Sequence, residues 1–205
     1  MLGEMIWKGL IIGFSIAAPV GPIGILCIRR TLEYGRFVGF VSGLGAATAD
    51  ALYGLMAGLG LTIISNFLLG QQWYLQIIGS IFLCYLGVKI FISTPSQDSA
   101  KAKGNKPFKA YISTFLLTIT NPVTILSFIA IFSGLGMNSN DTTSFGFLLV
   151  LGVFLGSALW WLLLSSIAGI IANKMKSNSF SMKLINRFSG VVLLLFGING
   201  LINLI

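Results

Sequence analysis

Apolar runs of about twenty residues recur along this chain, and they restrict its fold more than any other feature. Of the 205 residues, 56% are hydrophobic and only 9% are charged. A helix of ~20 apolar residues crosses the ~30 Å hydrocarbon core of a bilayer, whereas a water-soluble domain needs far more polar surface. The sequence therefore predicts an all-α polytopic membrane protein.

Six membrane spans fit the hydropathy pattern, three in each half of the chain. They cover about 6–28, 37–60, 73–92, 110–133, 144–172 and 184–204. The one long polar stretch, 93–107, contains turn-forming residues and lysines. We expect a single transmembrane domain over 1–205, with repeat 1 at 1–92, a cytoplasmic hinge loop at 93–109 and repeat 2 at 110–205.

The basic residues predict the orientation of the spans. Twelve of the thirteen lysines and arginines fall in the connections after the first, third and fifth spans, and only Lys8 lies on the other side. Because cytoplasmic loops carry the Lys/Arg excess, both termini are predicted to lie outside. We interpret Arg29 and Arg30 as residues of the first cytoplasmic loop, and the net charge of +8 as an orientation signal for the lipid bilayer rather than for nucleic acid.

Three spans in each half also make any internal repeat an inverted one, because the second half enters the membrane from the opposite side. Residues 39–55 align without a gap on 146–162, with identical residues at seven of seventeen positions. The sequence thus predicts six transmembrane helices arranged as two inverted three-helix repeats.

Prolines interrupt the first and fourth spans. The first contains Ala17-Ala18-Pro19-Val20-Gly21-Pro22 and the fourth contains Asn121-Pro122, each followed by the same Pro-x-x-Ile-Leu spacing. Proline removes a backbone donor and clashes with the preceding turn, so both helices are predicted to be broken there. In hydrocarbon such breaks persist only where protein buries them or where they line a polar cavity. Interrupted helices at matching places in two halves indicate a transporter's binding site.

Asp50 is the acid that lies deepest in a predicted span. An aspartate at the bilayer centre costs roughly 2.5 to 3.5 kcal/mol and nearly always faces the bundle interior or a wet cavity. At about 100° per residue it shares one side of its helix with mostly small residues, namely Gly35, Gly39, Gly43, Ala46, Tyr53, Gly54 and Ala57. The stripe is either a helix-packing face, with Asp50 bonded to a neighbouring backbone, or part of an ion or substrate site, which we favour.

Backbone amides after each break are candidates to bind a carboxylate. The half-helices after Pro22 and Pro122 present unpaired N–H groups, and the aligned peptide dipoles favour an anion there. Asn121 stands at an N-cap position, so its side chain either contributes to the site or caps its own helix. The candidate binding and coupling residues are Asp50, Gly21, Pro22, Ile23, Gly24, Thr48, Tyr53, Asn121, Pro122 and Thr124.

These motifs resemble those of the lysine exporter family of amino-acid transporters (LysE/RhtB). The resemblance rests on Ala18-Pro19-Val20-Gly21-Pro22, the run from Arg29-Arg30 to Asp50, Asn121-Pro122, and Asn186-Arg187-Phe188-Ser189-Gly190 in the last span. It implies a small inner-membrane protein that exports amino acids or related solutes, coupled to the proton gradient. The family often has a lysine after the Asn-Pro pair, whereas this chain has Val123, which removes a cation from the second break.

The predicted function is secondary active export of amino acids or related small zwitterionic or cationic solutes across the plasma membrane, by alternating access. Protons or another ion are the expected coupling species, and no cofactor is expected. Gly35, Gly39 and Gly43 form two Gly-x-x-x-Gly steps, which leave a homodimer open beside packing within one chain.

Other functions are less favoured. A metal or inorganic cation exporter would need more ligands than Asp50 supplies, and the chain has no histidine. A transmembrane thiol electron carrier would use Cys27 and Cys84, but it would need a cysteine at each break. Without histidine, a nucleophile, base and orienting acid cannot be assembled, so no enzyme activity is predicted.

Overall fold

The computed structural model describes residues 2–19, 21–58, 70–93, 106–121, 123–128, 143–175 and 179–204. The regular structure in these ranges is helical throughout, which confirms the predicted all-α class. The helices are α1 (Leu2–Ala17), α2 (Pro22–Tyr34), α3 (Arg36–Gly58), α4 (Gln72–Phe91), α5 (Lys106–Ile119), α6 (Thr143–Met175) and α7 (Ser179–Ile202), and residues 123–128 are helical as well.

Four of the described helices are long and apolar enough to cross a membrane. These candidate spans are Arg36–Met56, Trp73–Phe91, Gly146–Ala172 and Lys183–Ile202, which correspond to the second, third, fifth and sixth predicted spans. The bent pair Gly3–Ala17 and Pro22–Tyr34 is a further candidate. The fourth predicted span, 110–133, lies partly outside the described residues, so the six-span count and the inverted arrangement stay predictions.

The first helix is broken where the prolines predict it. The amide of Ala18 donates to the Phe14 carbonyl at 2.9 Å and ends α1, and the axis of α2 then differs from that of α1 by 82°. Gly21 has extended backbone (φ −96°, ψ −162°) and Pro22 is the first residue of α2. Proline is favoured at this position, because its fixed φ suits a helix and the first amide has no partner within the helix.

The second interruption follows α5. The amide of Asn121 donates to the Thr118 carbonyl at 3.1 Å, and the amides of Thr124 and Ile125 then donate to the carbonyl of Asn121 at 3.1 and 3.2 Å. These bonds end one helix and begin the next within a few residues. Pro122 itself lies outside the described residues.

Two predictions about the cytoplasmic connections are wrong. Arg29 and Arg30 do not lie in a loop: α2 continues to Tyr34 and buries both side chains. The predicted hinge loop 93–109 is also too long, because α5 begins at Lys106. A count of charges does not distinguish a loop from the terminal turns of a helix, so basic residues near a helix terminus look like loop residues. The rest of that loop, 94–105, lies outside the described residues.

The helix α3 occupies the centre of the bundle. It packs against α5 and α6 and also contacts α2, while α1 packs along α6 and α4 packs along α7. The outer helices α4 and α7 carry large exposed apolar side chains, as a lipid-facing surface requires. Among these are Trp73, Ile78, Ile81, Tyr85, Leu184, Phe188, Leu195 and Ile198.

Glycines allow α1 and α6 to approach each other at backbone distance. Gly9 and Gly13 of α1 lie against the backbone of α6, and Gly152 and Gly156 of α6 lie against the backbone of α1, so that a Cβ at any of the four would overlap the facing helix. Because lipid tails are as apolar as leucine, packing between small residues is a main source of helix association in membranes.

We predict that Gly156→Val lowers the free energy of unfolding by about 1 to 3 kcal/mol, because its side chain would overlap the backbone of α1 at Leu10. Gly3→Val is the matched control, since a Cβ at Gly3 meets no other atom within 4 Å. Thermal unfolding in detergent measures both variants. Equal unfolding temperatures for the two would contradict the proposed packing.

Candidate functional site

A cavity of about 490 Å³ lies between the two helix breaks. Its volume falls within the range of roughly 300 to 1,000 Å³ that is typical of small-molecule sites. Residues of α4 and α7, the middle of α3, the ends of α1 and α5, and Trp161 of α6 complete the wall. The residues from the two breaks are Pro19, Gly21, Pro22, Ile23 and Gly24 at the first and Thr120, Asn121, Val123, Thr124 and Ser127 at the second.

Most of the site residues predicted from the sequence line this cavity. They are Asp50, Gly21, Pro22, Ile23, Gly24, Asn121 and Thr124. Pro122 lies outside the described residues.

Thr48 and Tyr53 instead join α3 to α5. The Tyr111 hydroxyl donates to Thr48 Oγ1 at 2.8 Å, and Thr48 donates in turn to the carbonyl of Leu44 at 2.8 Å. Tyr53 is buried in an apolar cluster, where its hydroxyl donates to the carbonyl of Ile119. We therefore assign both side chains to helix packing.

Asp50 is 3% exposed and is held by a side chain of α6. Ser157 Oγ donates to Asp50 Oδ2 at 2.7 Å, and Trp161 Nε1 donates to Ser157 Oγ at 3.1 Å. Position 157 is the one that the alignment of 39–55 on 146–162 places opposite position 50. Two positions that this alignment matches are therefore in direct contact.

The small residues beside Asp50 serve packing and the cavity together. Gly43 lies against the Cβ and Cγ atoms of Trp161, and Ala46 packs in a buried cluster with the same side chain. Ala46, Asp50 and Trp161 all line the cavity. The stripe is thus a helix-packing face at this crossing of α3 and α6, although Asp50 is bonded to a side chain rather than to a backbone group, and an ion or substrate site there stays a prediction.

The two breaks expose different groups to the cavity. At the second break the Val123 amide donates to Asn121 Oδ1 at 3.1 Å, so Asn121 caps its own helical segment. At the first break Gly21 makes no side-chain cap, and the amides of Ile23 and Gly24 have no acceptor within α2.

Polar faces on α4 and α7 were missed by the sequence analysis. Gln76 and Ser80 of α4, Asn199 of α7 and Asn203 directly after α7 line the cavity, and Gln76 Nε2 donates to the Gly200 carbonyl at 2.8 Å. On each helix the lining residues are spaced i, i+3, i+4 and i+7, which is one helix face. They are Gln76, Gly79, Ser80 and Leu83 on α4, and Phe196, Asn199 and Gly200 on α7 with Asn203 directly after it. That spacing was a signal available in the sequence.

Two buried arginines lie toward the end of α2 that is away from Pro22, and they join α2 to other helices. Arg30 donates from Nη1 to Ser42 Oγ (2.6 Å), Thr114 Oγ1 (2.7 Å) and the Ala110 carbonyl (2.9 Å), and from Nη2 to Ser113 Oγ (2.6 Å). These bonds join α2 to α3 and α5. Arg30 is only 9% exposed, and the three bonds from its Nη1 are buried.

Arg29 joins α2 to α7 and to Ser93, which follows α4. Its Nε donates to Asn186 Oδ1 at 3.0 Å, its Nη2 donates to Ser93 Oγ at 3.4 Å, and the same nitrogen pairs with Glu33 one turn along α2. Asn186 also donates to Ser93, at 3.1 Å. We call Arg29, Arg30 and these partners the arginine layer. It lies ~10 Å along α2 from Pro22 and the cavity.

The thiols and acids of the described residues form no metal or redox centre. Cys27 Sγ donates to Ser42 Oγ at 3.5 Å, and Cys84 packs against Gly197 of α7. Within the ranges that the structure covers, no group of three or more Cys, Asp or Glu side chains could hold a metal ion.

A cavity with polar groups in its wall, enclosed by apolar membrane helices at the interruption of two of them, is the arrangement of a membrane transport protein. The chain belongs to the LysE type translocator family, whose model matches residues 14–204. The resemblance found in the sequence motifs is thus confirmed, as is a multi-pass membrane protein.

Three relatives illustrate the family. "Putative amino acid efflux protein YcgF" of Bacillus subtilis is 27% identical over 194 residues, covering 92% of this chain and 90% of its own. "Uncharacterized membrane protein YrhP" of the same organism is 30% identical over 189 residues, covering 85% and 87%. "Leucine efflux protein" of Salmonella typhimurium is 25% identical over 128 residues, covering 62% and 60%. No solved structure matches the chain.

We predict that Arg30→Ala lowers the free energy of unfolding by about 3 kcal/mol, because it removes several charge-assisted hydrogen bonds in a buried place. Lys8→Ala is the control, since Lys8 pairs with Glu4 at 3.0 Å on an exposed surface, where an ion pair contributes about 0 to 1 kcal/mol. Unfolding in detergent gives both values. A similar loss in both variants would contradict a stabilising role for the arginine layer.

Proposed function

We propose that the chain is a secondary active exporter of small amino acids with uncharged side chains, acting across the plasma membrane. The observation that carries the proposal is that one cavity is lined by both helix breaks and by Asp50. Membership of a translocator family supports it, as do relatives named for amino acid and leucine efflux.

The cavity offers a partner for each charge of a zwitterion. The carboxylate of Asp50 suits the ammonium group, and the free amides at the start of the thirteen-residue helix α2 suit the carboxylate. A proton and a substrate ammonium would compete for the same carboxylate. Such competition provides a simple basis for exchange of a proton for the solute, because either one neutralises Asp50 before the site reorients.

The charge of the lining argues for an uncharged substrate side chain. Asp50 is the one ionisable side chain among the described lining residues. Of the other described acids, Glu4 pairs with Lys8 and Glu33 pairs with Arg29. A charged side chain on the substrate would add a third charge without a partner, which is costly away from water. The apolar part of the wall suits an aliphatic or aromatic side chain; it includes Ile16, Ile23, Leu83, Leu117, Val123 and Phe196.

We further propose that the chain forms two inverted three-helix repeats, with six spans and both termini outside. Exchanging the halves converts α1 into α5, α3 into α6 and α4 into α7. The exchange then turns the pair α1 and α6 into the pair α5 and α3, and the helices of both pairs are in contact. It turns the pair α3 and α6, and likewise the pair α4 and α7, into itself, and the helices of these pairs are in contact as well. This contact pattern supports a two-fold pseudosymmetry.

Alternating access follows from the same topology. The cavity lies toward the start of α4 and the end of α7, which are the proposed outer ends, whereas Ser93 and Asn186 of the arginine layer lie at the proposed cytoplasmic ends. The arginine layer would then act as a closed cytoplasmic gate. Loading from the cytoplasm would require Arg29 and Arg30 to exchange these hydrogen bonds for others.

Asp50→Asn should abolish efflux driven by a proton gradient while leaving the protein folded. Asparagine keeps the shape of the side chain, but it carries no charge and cannot take up and release a proton. Efflux of labelled leucine from loaded vesicles, with thermal unfolding alongside, measures both properties. Glu4→Gln neutralises an exposed acid and should transport normally. Normal transport by Asp50→Asn would contradict the role given to Asp50.

Vesicle efflux should be at least tenfold faster for leucine or methionine than for lysine or aspartate, because the unpaired charge would cost 1.4 kcal/mol or more, which is about a factor of ten. Leu83→Asp adds a second carboxylate to the wall and should raise lysine efflux, whereas Leu83→Asn, of similar shape, should not. Equal wild-type rates for leucine and lysine would refute the substrate class, and no amino acid efflux at all would refute the function.

A further inference from the structure

We propose that Ser157 and Trp161 are positioning residues, which hold the carboxyl group of Asp50 with one oxygen fixed to α6 and link its orientation to the occupant of the cavity. This inference rests on the proposed function only in its last step, the link to a bound solute. The fixed orientation itself follows from the hydrogen bonds.

The direction of the hydrogen-bond chain is determined by chemistry. An indole N–H can only donate, so Ser157 Oγ must accept from Trp161 Nε1 at 3.1 Å. The single hydroxyl proton of Ser157 is then directed to Asp50 Oδ2 at 2.7 Å, and a carboxylate oxygen accepts it. Ser157 is fully buried, so no bulk water competes for the proton. Asp50 Oδ2 is thereby occupied, and the carboxyl group is oriented before any solute binds.

Trp161 is itself held in place by the opposite helix. Gly43, two turns before Asp50 on α3, lies against the Cβ and Cγ atoms of Trp161, and any side chain at Gly43 would displace the indole ring. The ring also lines the cavity. A solute that presses on this ring therefore acts on the donor of Ser157, and through Ser157 on Asp50.

The neighbouring tryptophan provides a natural comparison. Trp160 is stacked edge-to-face with Phe14, at 5.4 Å between ring centroids, and its Nε1 has no hydrogen-bond partner within the described part of the chain. Trp161 thus donates a hydrogen bond to Ser157, whereas Trp160 lacks such a bond within the described part of the chain. On the same helix, Ser165 is also buried, but it donates to the Leu162 carbonyl of its own turn.

The first test measures the reactivity of Asp50 directly, without transport. Purified protein is labelled with a hydrophobic carbodiimide, and the label on Asp50 is followed by mass spectrometry at fixed pH. Ser157→Ala should make the labelling of Asp50 about tenfold faster, because it removes the hydrogen bond that stabilises the carboxylate. A hydrogen bond to a charged group is worth that factor or more. Trp161→Phe should have a smaller effect, and Trp160→Phe and Ser165→Ala none.

Non-additivity separates positioning from general damage to the bundle. If Trp161 acts only through Ser157, the Ser157→Ala/Trp161→Phe double variant should label at the rate of Ser157→Ala alone. Independent structural effects would multiply instead. Equal labelling of wild type and Ser157→Ala, or multiplied effects in the double variant, would overturn the inference.

Efflux of leucine then tests the link to the solute. Ser157→Ala and Trp161→Phe should raise the KM for leucine several-fold more than they lower the maximal rate, with Trp160→Phe unchanged. An unchanged KM in both variants would overturn the link to the solute. If the wild type labels as expected but exports no amino acid, the proposed function fails and the fixed orientation of Asp50 stands.

Discussion

A backbone group that loses its helical partner inside a bilayer has no water to bind, and the rest of this structure depends on that constraint. It requires each break to be enclosed by protein and to begin the next helix at once. Gly21 and Pro22 do this at the first break through an extended residue followed by a preset φ, and Asn121 does it at the second through a side-chain cap. Residues of both breaks line one cavity, which is the candidate site.

Local chemistry made part of this site predictable. Proline geometry gave the position of the first break, and the cost of a buried acid gave Asp50 an inward orientation. The partners of Asp50 were harder to foresee, because a hydrogen bond between residues 107 positions apart depends on where α3 and α6 cross. Tyr53 and Trp160 occupy matching positions in the alignment of 39–55 on 146–162, yet it is the neighbouring Trp161 that lines the cavity.

The arginine layer shows where a count of charges stops being informative. The rule that basic residues lie at the cytoplasmic side predicts an orientation for Arg29 and Arg30, but it says nothing about whether they face water. Here each guanidinium finds acceptors on separate helices, so that burial becomes tolerable. Hydroxyl side chains supply many of these acceptors. A hydroxyl is a weak signal in a sequence, because serine and threonine in membrane helices mostly bond to their own backbone.

In the proposed inverted repeat, the contact between Asp50 and Ser157 gives a physical reason for the different residues that the two halves carry at this position. The two residues correspond in the alignment of 39–55 on 146–162, and they meet where α3 crosses α6. Two aspartates there would place like charges within hydrogen-bonding distance, and one of them would have to stay protonated. Two serines would leave the cavity without a charge for an ammonium group or a proton. One aspartate and one serine give a single charge together with a donor that orients it. In the proposed exporter, the two halves can therefore pack symmetrically, but binding of an ammonium group or a proton requires the symmetry to be broken at this position.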